Sequence, residues 1–238
     1  MKPEIVIDTP EILGRVFVDH FAGAASEAIA SRGYFSCALP GGSVAEKFFP
    51  VLARTAVAWD KVDFFWGDER AVSPNDPDSN YGLAKRLLLD PVHADPRRVH
   101  RIVAEGGALD AAAQAYEEEL VRVLGDPPRI DLVVLGLGPD GHVCSLFTGH
   151  PLLRERVRRV ASITDSPKPP PQRVTFTMLP LQSARNICIA GFGDSKAAAI
   201  RAALEDATSQ IPVAVAIRGA RRALVLVDPA AASLLRLG

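Results

Sequence analysis

Five short runs, apolar at nearly every position, constrain this chain most: Tyr34–Leu39 (YFSCAL), Val62–Trp66 (VDFFW), Ile130–Leu135 (IDLVVL), Asn186–Ala190 (NICIA) and Ala223–Val227 (ALVLV). A strand without polar alternation has no face to give to water, so it fits a parallel sheet covered on both sides. Parallel neighbours need long crossovers. Helical patterns stand between the runs at about Glu11–Ser31, Val44–Ala53, Asn80–Leu89, Leu109–Leu124 and Ser195–Leu204. The first puts Ile12, Val16, Phe17, Phe21, Ala24, Ala25 and Ala28 on one stripe. The alternation predicts an α/β fold: a doubly wound, mostly parallel sheet with helices on both faces, Rossmann-like in architecture. No repeat of solenoid period is present, and residues 1–238 are expected to form one domain. Two polar loops interrupt the pattern, Ser73–Ser79 (SPNDPDS) and Asp165–Gln172 (DSPKPPPQ). The consecutive prolines of the second bar it from a helix or a central strand, and it reads as a surface loop rather than a linker.

In open α/β sheets, ligands bind beyond the carboxyl ends of the strands, so the residues after each run carry the information. Pro40-Gly41-Gly42-Ser43 follows YFSCAL and opens a helix. Close backbone approach and bare first-turn amides would make an anion cradle there. The plainer alternative is a tight turn with Ser43 as the helix N-cap. Gly67-Asp68-Glu69-Arg70 follows VDFFW, and Arg70 is either a clamp for an anion or oxyanion or a solvated loop residue. Leu135–Pro151, LGLGPDGHVCSLFTGHP, follows IDLVVL and contains G-x-G-x-x-G. A dinucleotide-binding turn would have the strand before it and an acid such as Asp165 a little over twenty residues after Gly141. Asp140, however, would set negative charge beside a pyrophosphate, and His142–Phe147 is too short for the required helix before Gly149 and Pro151 break it. The same turn would otherwise present His142, an imidazole able to take a proton near pH 7, with Asp140 to orient it. A purely structural His–Asp pair is the bland alternative. Cys144 suits a small buried apolar role. Gly191-Phe192-Gly193-Asp194-Ser195-Lys196 follows NICIA, and a lysine in a first helical turn opposes the helix dipole unless an anion sits there. Arg173, at the start of RVTFTML, is a second cation for the same anion.

Charge and cysteine content narrow the partners. Lys plus Arg number 27 and Asp plus Glu 28, so the formal net charge is -1 and no global attraction to nucleic acid or to an anionic membrane is expected. Cys37, Cys144 and Cys188 form no C-x-x-C pair, and the five histidines form no i, i+4 pair, so neither a disulfide framework nor a metal site is expected. MKPEIVIDTPEILG lacks the character of a signal peptide and no apolar run would cross a bilayer, so a cytoplasmic protein is expected. Length and charge balance permit a monomer and leave a homodimer open.

Together LPGGSV (Leu39–Val44), WGDERAVSPNDPDSNYG (Trp66–Gly82), LGLGPDGHVCSLFTGHP, RVTFTMLPLQSA (Arg173–Ala184) and GFGDSK (Gly191–Lys196) resemble the 6-phosphogluconolactonase family, within the wider group of glucosamine-6-phosphate isomerases/deaminases. The five motifs occur in the family's order. Asp68-Glu69-Arg70 followed by the run to Asn80 looks like the lactonase branch. The resemblance implies an isomerase/CoA-transferase-like α/β fold and a hydrolase without metal or cofactor. It also implies action on 6-phospho-D-glucono-1,5-lactone, a small phosphosugar, in the pentose phosphate pathway. Catalysis would fall to His142 as general base, Asp140 as its orienting acid and Arg70 at the lactone end. Gly41, Gly42, Ser43, Arg173 and Lys196 would hold the phosphate. Two positions depart from the family pattern. The first loop usually reads S-G-G-S-T, whereas Pro40 and Val44 here lack both flanking hydroxyls, and Thr148 stands where proline is common. Rivals are an amino-sugar-phosphate isomerase/deaminase, an NAD-binding oxidoreductase and a non-catalytic sugar-phosphate sensor.

Overall fold

A computed structural model of the chain describes residues 2–236. Its main sheet has six strands, numbered in chain order: β1 (Glu4–Ile7), β2 (Phe35–Leu39), β3 (Val62–Trp66), β5 (Leu132–Gly136), β8 (Asn186–Gly191) and β9 (Ala223–Val227). They lie in the order β1-β9-β8-β5-β2-β3, and every pair is parallel. The five apolar runs supply five of them. β1 escapes the pattern because it is a four-residue edge strand, exposed or half-buried throughout.

Steps along the sheet run both ways. β1 to β2 through α1 (Pro10–Arg32), and β2 to β3 through α2 (Gly42–Leu52), go in one direction. β3 to β5 through α3 (Asn80–Ala84) and α4 (Leu109–Leu124) goes in the other. So do β5 to β8 through α5 (Met178–Ser183), and β8 to β9 through α6 (Ala197–Glu205) and α7 (Pro212–Gly219). Right-handed crossovers of opposite direction lay their helices on opposite faces, and both faces are thus covered. α1 packs on α2 through the stacked rings of Phe17 and Phe48, with centroids 4.6 Å apart. The buried stripe of α1 centres on Leu13, Phe17, Phe21, Ala25 and Ala28. The expected stripe is therefore rotated: Ile12 stands 41% exposed, while Val16 and Ala24 are only half-buried at its margin.

A second sheet is antiparallel: β4 (Asp68–Arg70), β7 (Arg173–Phe176) and β6 (Val160–Ile163), in the order β4-β7-β6. β4 is the DER motif itself. Three charged residues carry no apolar period, so it reads as loop until β7 pairs with it. The register sets Asp68 against Thr175, Glu69 against Val174 and Arg70 against Arg173. At the opposite, N-terminal end of the main sheet, Asp131 ties β2 to β5. It accepts from Ser36 N (2.9 Å) and Ser36 Oγ (3.0 Å), and it meets Arg32 at 2.6 Å and Arg185 at 3.1 Å.

Candidate active site

Strand order reverses between β2 and β5, and the cleft beyond their carboxyl ends is where such a sheet holds ligands. Gly41, Gly42, Ser43, Arg70, His142, Arg173 and Lys196 all line this cleft. Asp140 stands behind His142. Asp68, Asn80 and Cys144, to which the sequence assigns no ligand, line it as well.

His142 comes from the turn after β5. Its Nδ1 lies 2.6 Å from Asp140 Oδ1, and its ring packs on Phe147 with centroids 4.8 Å apart. A Cβ at Gly138 would lie 2.0 Å from His142 Nδ1 and 2.5 Å from Asp140 Oδ1, so the pair forms only over a glycine. Burial lowers the His142 pKa below its ordinary value, although Asp140 pulls the other way. The imidazole is therefore neutral near pH 7, its Nδ1–H donating to Asp140 and its Nε2 lone pair available. Burial alone would raise the Asp140 carboxyl, but the bond and charge of His142, with the charge of Lys168, hold it below the usual range. No helix follows these glycines; residues 137–150 are turns and bridges. Asp165, the acid a nucleotide fingerprint would need, is 74% exposed and meets His150 at 3.2 Å.

The loop after β2 differs from the N-cap alternative. Gly41 is the N-cap of α2, no side chain caps it, and Ser43 lies exposed inside the first turn. The first amides of α2 thus have neither an intrahelical nor a side-chain acceptor, a partial positive charge aimed at the cleft. A Cβ at Gly41 would come within 1.8 Å of Asn80 Oδ1, so glycine is what admits Asn80 to the wall.

Arg70 and Arg173 face each other across β4 and β7. Like charges directly opposite are unfavourable without a counter-charge. The Arg70 Nη1 donates to the Asp78 carbonyl, and its buried Nε has no partner among the described residues. Arg173, 4% exposed, is largely engaged: Nε donates to Pro170 O (2.9 Å), Nη2 to Lys168 O (3.0 Å) and Pro169 O (3.1 Å), and Nη1 to Ser145 Oγ (3.3 Å). Its charge faces the cleft while most of its N–H groups hold the proline loop. Lys196 closes a single 3-10 turn, Asp194–Lys196, and N-caps α6 rather than sitting within that helix. Burial first, and then the charge of Lys168, lowers its pKa.

Buried acids organise these cations. Asp68 accepts from Ser145 Oγ (2.7 Å) and from Asn80 Nδ2 (3.3 Å), and lies 4.0 Å from Arg173. Glu69 accepts from the N–H groups of Arg70, Asn80 and Tyr81, each at 2.8 Å, and from Ser79 Oγ at 3.0 Å. Burial raises its carboxyl pKa despite these four bonds. The spacing of DER to Asn80 was visible in the sequence, but which of those acids would turn inward was not. Cys144 lines the cleft with its thiol pushed well up by burial and then by Asp68, so it stays protonated. Among the described residues, no group of three or more His, Cys, Asp or Glu could hold a metal ion, and no helix is long and apolar enough to cross a membrane.

Residues 8–225 match the family described as glucosamine-6-phosphate isomerases/6-phosphogluconolactonase. A 6-phosphogluconolactonase of Streptomyces coelicolor is 38% identical over 95% of this chain and 95% of its own. That of Mycobacterium tuberculosis is 40% identical over 89% of each chain. Among solved structures, the 6-phosphogluconolactonase from Trypanosoma cruzi superposes with a TM-score of 0.87 at 26% identity, covering 99% of this chain and 97% of that one.

Proposed function

The chain belongs to the family of glucosamine-6-phosphate isomerases and 6-phosphogluconolactonases, and from that premise we propose how its cleft works on a phosphorylated sugar lactone. It is a 6-phosphogluconolactonase: it hydrolyses 6-phospho-D-glucono-1,5-lactone to 6-phospho-D-gluconate in the oxidative pentose phosphate pathway. The neutral His142 takes a proton through Nε2 as water attacks C1, and Asp140 holds the ring and supports the imidazolium that forms. Arg70, which lines the cleft, provides the charged donor for the oxyanion developing on the lactone carbonyl. When the C1–O5 bond breaks, the imidazolium returns its proton to O5, now the C5 hydroxyl. The C6 phosphate rests on the amides of Gly41 and Gly42, on Ser43 and on Lys196, with Arg173 adding charge and its remaining Nη1 hydrogen. Binding at that end positions the reacting carbonyl, so it contributes to turnover as well as affinity.

One observation supports this reading above the others: an Asp-buttressed neutral imidazole lines the same cleft as the uncapped start of α2 and Lys196. His142→Ala tests it by phosphogluconate formation. A loss of roughly 10²–10⁴-fold is expected for removing a general base, and near-normal turnover in a variant with an unchanged circular dichroism spectrum would withdraw the role. Ammonia release from glucosamine 6-phosphate should be absent; its presence would favour the deaminase branch. The same proposal has residues 1–238 acting as one domain and a monomer in the cytoplasm, which sedimentation equilibrium and cell fractionation would check.

A further inference from the structure

The proline loop Asp165–Gln172 contributes nothing to the mechanism above, yet a buried arginine is given over to holding it. Arg173 donates to the carbonyls of Lys168, Pro169 and Pro170 in succession. Ser166 Oγ both donates to Lys168 O (2.9 Å) and accepts from Lys168 N (3.2 Å). The backbone of residue 168 is therefore fixed from both sides, and fixed by a residue of the cleft wall. Its side chain is lightly held: it is 42% exposed, and among the described residues its Nζ meets only the similarly exposed Asp140 Oδ1, at 3.7 Å. That distance is long for a charge-assisted bond, and an ion pair so exposed holds its partners weakly. The ammonium is also close enough to the cleft for its charge to contribute, after burial, to the lowered pKa of both Lys196 and His142. Two ammonium groups that repel each other across a cleft gain when an anion settles between them.

Resting on the lactonase function, we propose that Lys168 is a further substrate-binding residue: it leaves Asp140 and closes on the phosphoryl group from the proline-loop side, opposite Lys196. Arg173 then acts mainly as a positioning residue, spending its N–H groups to deliver a more mobile cation. The proline-rich sequence has a reason on this account, since a stiff arm brings the ammonium to the cleft at little cost in chain entropy.

Lys168→Gln and Lys168→Arg test the assignment. Each is assayed with 6-phosphogluconolactone and with plain glucono-1,5-lactone beside the wild type. Inorganic phosphate serves as inhibitor of plain-lactone hydrolysis. The preference for the phosphorylated substrate, as the ratio of kcat/KM values, should fall roughly 10- to 100-fold in Lys168→Gln, the worth of one charge-assisted hydrogen bond. The inhibition constant for phosphate should rise in parallel, and Lys168→Arg should restore most of both. If Lys168→Gln keeps the wild-type preference, even with both rates lowered together, Lys168 acts only through Asp140 and the assignment is overturned. A wild type indifferent to the phosphate would instead overturn the lactonase function itself, and this inference with it.

Discussion

His142 is held by opposing influences of known sign. Burial lowers its pKa and Asp140 raises it, with burial the larger. A general base works only when neutral, so kcat/KM should rise with pH and reach half its plateau below about 6.5, the ordinary histidine value. Asp140→Asn removes the raising influence. The acid limb should move to still lower pH while the plateau falls by roughly tenfold or more, since a weaker, less firmly oriented base remains. A pH–rate profile of the two proteins checks both movements, and an unshifted limb would assign that titration to another group. Much at this scale was legible in the sequence. The glycine loop, Arg70, His142, Asp140 and Lys196 follow strand ends, where an α/β sheet places its ligands. How completely Arg173 is engaged was not legible. Its acceptors are the carbonyls of a loop, and carbonyls leave no mark on residue type.

At the scale of elements, the segment from β4 to α3 depends on one carboxylate. Glu69 gathers three amides and a hydroxyl, two donors on each oxygen. Glu69→Gln keeps the size but exchanges one oxygen for an NH2 group that cannot accept them. Leaving buried donors unmet costs about 1–3 kcal/mol, so amide exchange at Asn80 and Tyr81 should quicken by about 10- to 100-fold relative to the core strands. Hydrogen exchange resolved by residue would show it; unchanged protection would mean the loop holds itself. Arg70 belongs to the same segment, so kcat/KM should fall with it. The five long parallel strands were readable because burial on both faces demands apolar runs. β4 was not, since its three residues become a strand only through pairing with β7, and α7 lay hidden behind Pro212, a helix-start signal that opens a helix of only eight residues.

Across the whole molecule, the chemistry and the buried polar tie through Asp131 lie at opposite ends of one sheet. Asp131→Ala would strip the acceptor from Ser36 and the counter-charge from Arg32 and Arg185. It should lower unfolding stability by about 2–4 kcal/mol, read as a reduced urea midpoint. kcat/KM at a permissive temperature should stay within about twofold; a collapse of activity in the folded variant would mean that the two ends are coupled. The doubly wound class was legible here because direction reversal and strand length follow from pattern, whereas the small antiparallel sheet joins stretches of chain too distant for any local window to connect. That sheet also bears on how the protein is made. Arg70 meets Arg173 only when β7 pairs with β4, and β7 comes after the glycine loop, β4 and His142 in order of synthesis. A polypeptide still emerging from the ribosome therefore carries its base and its anion loop, on the neighbouring strands β5 and β2, before β7 can bring Arg70 to Arg173, and it stays silent toward lactones until translation has passed Lys196.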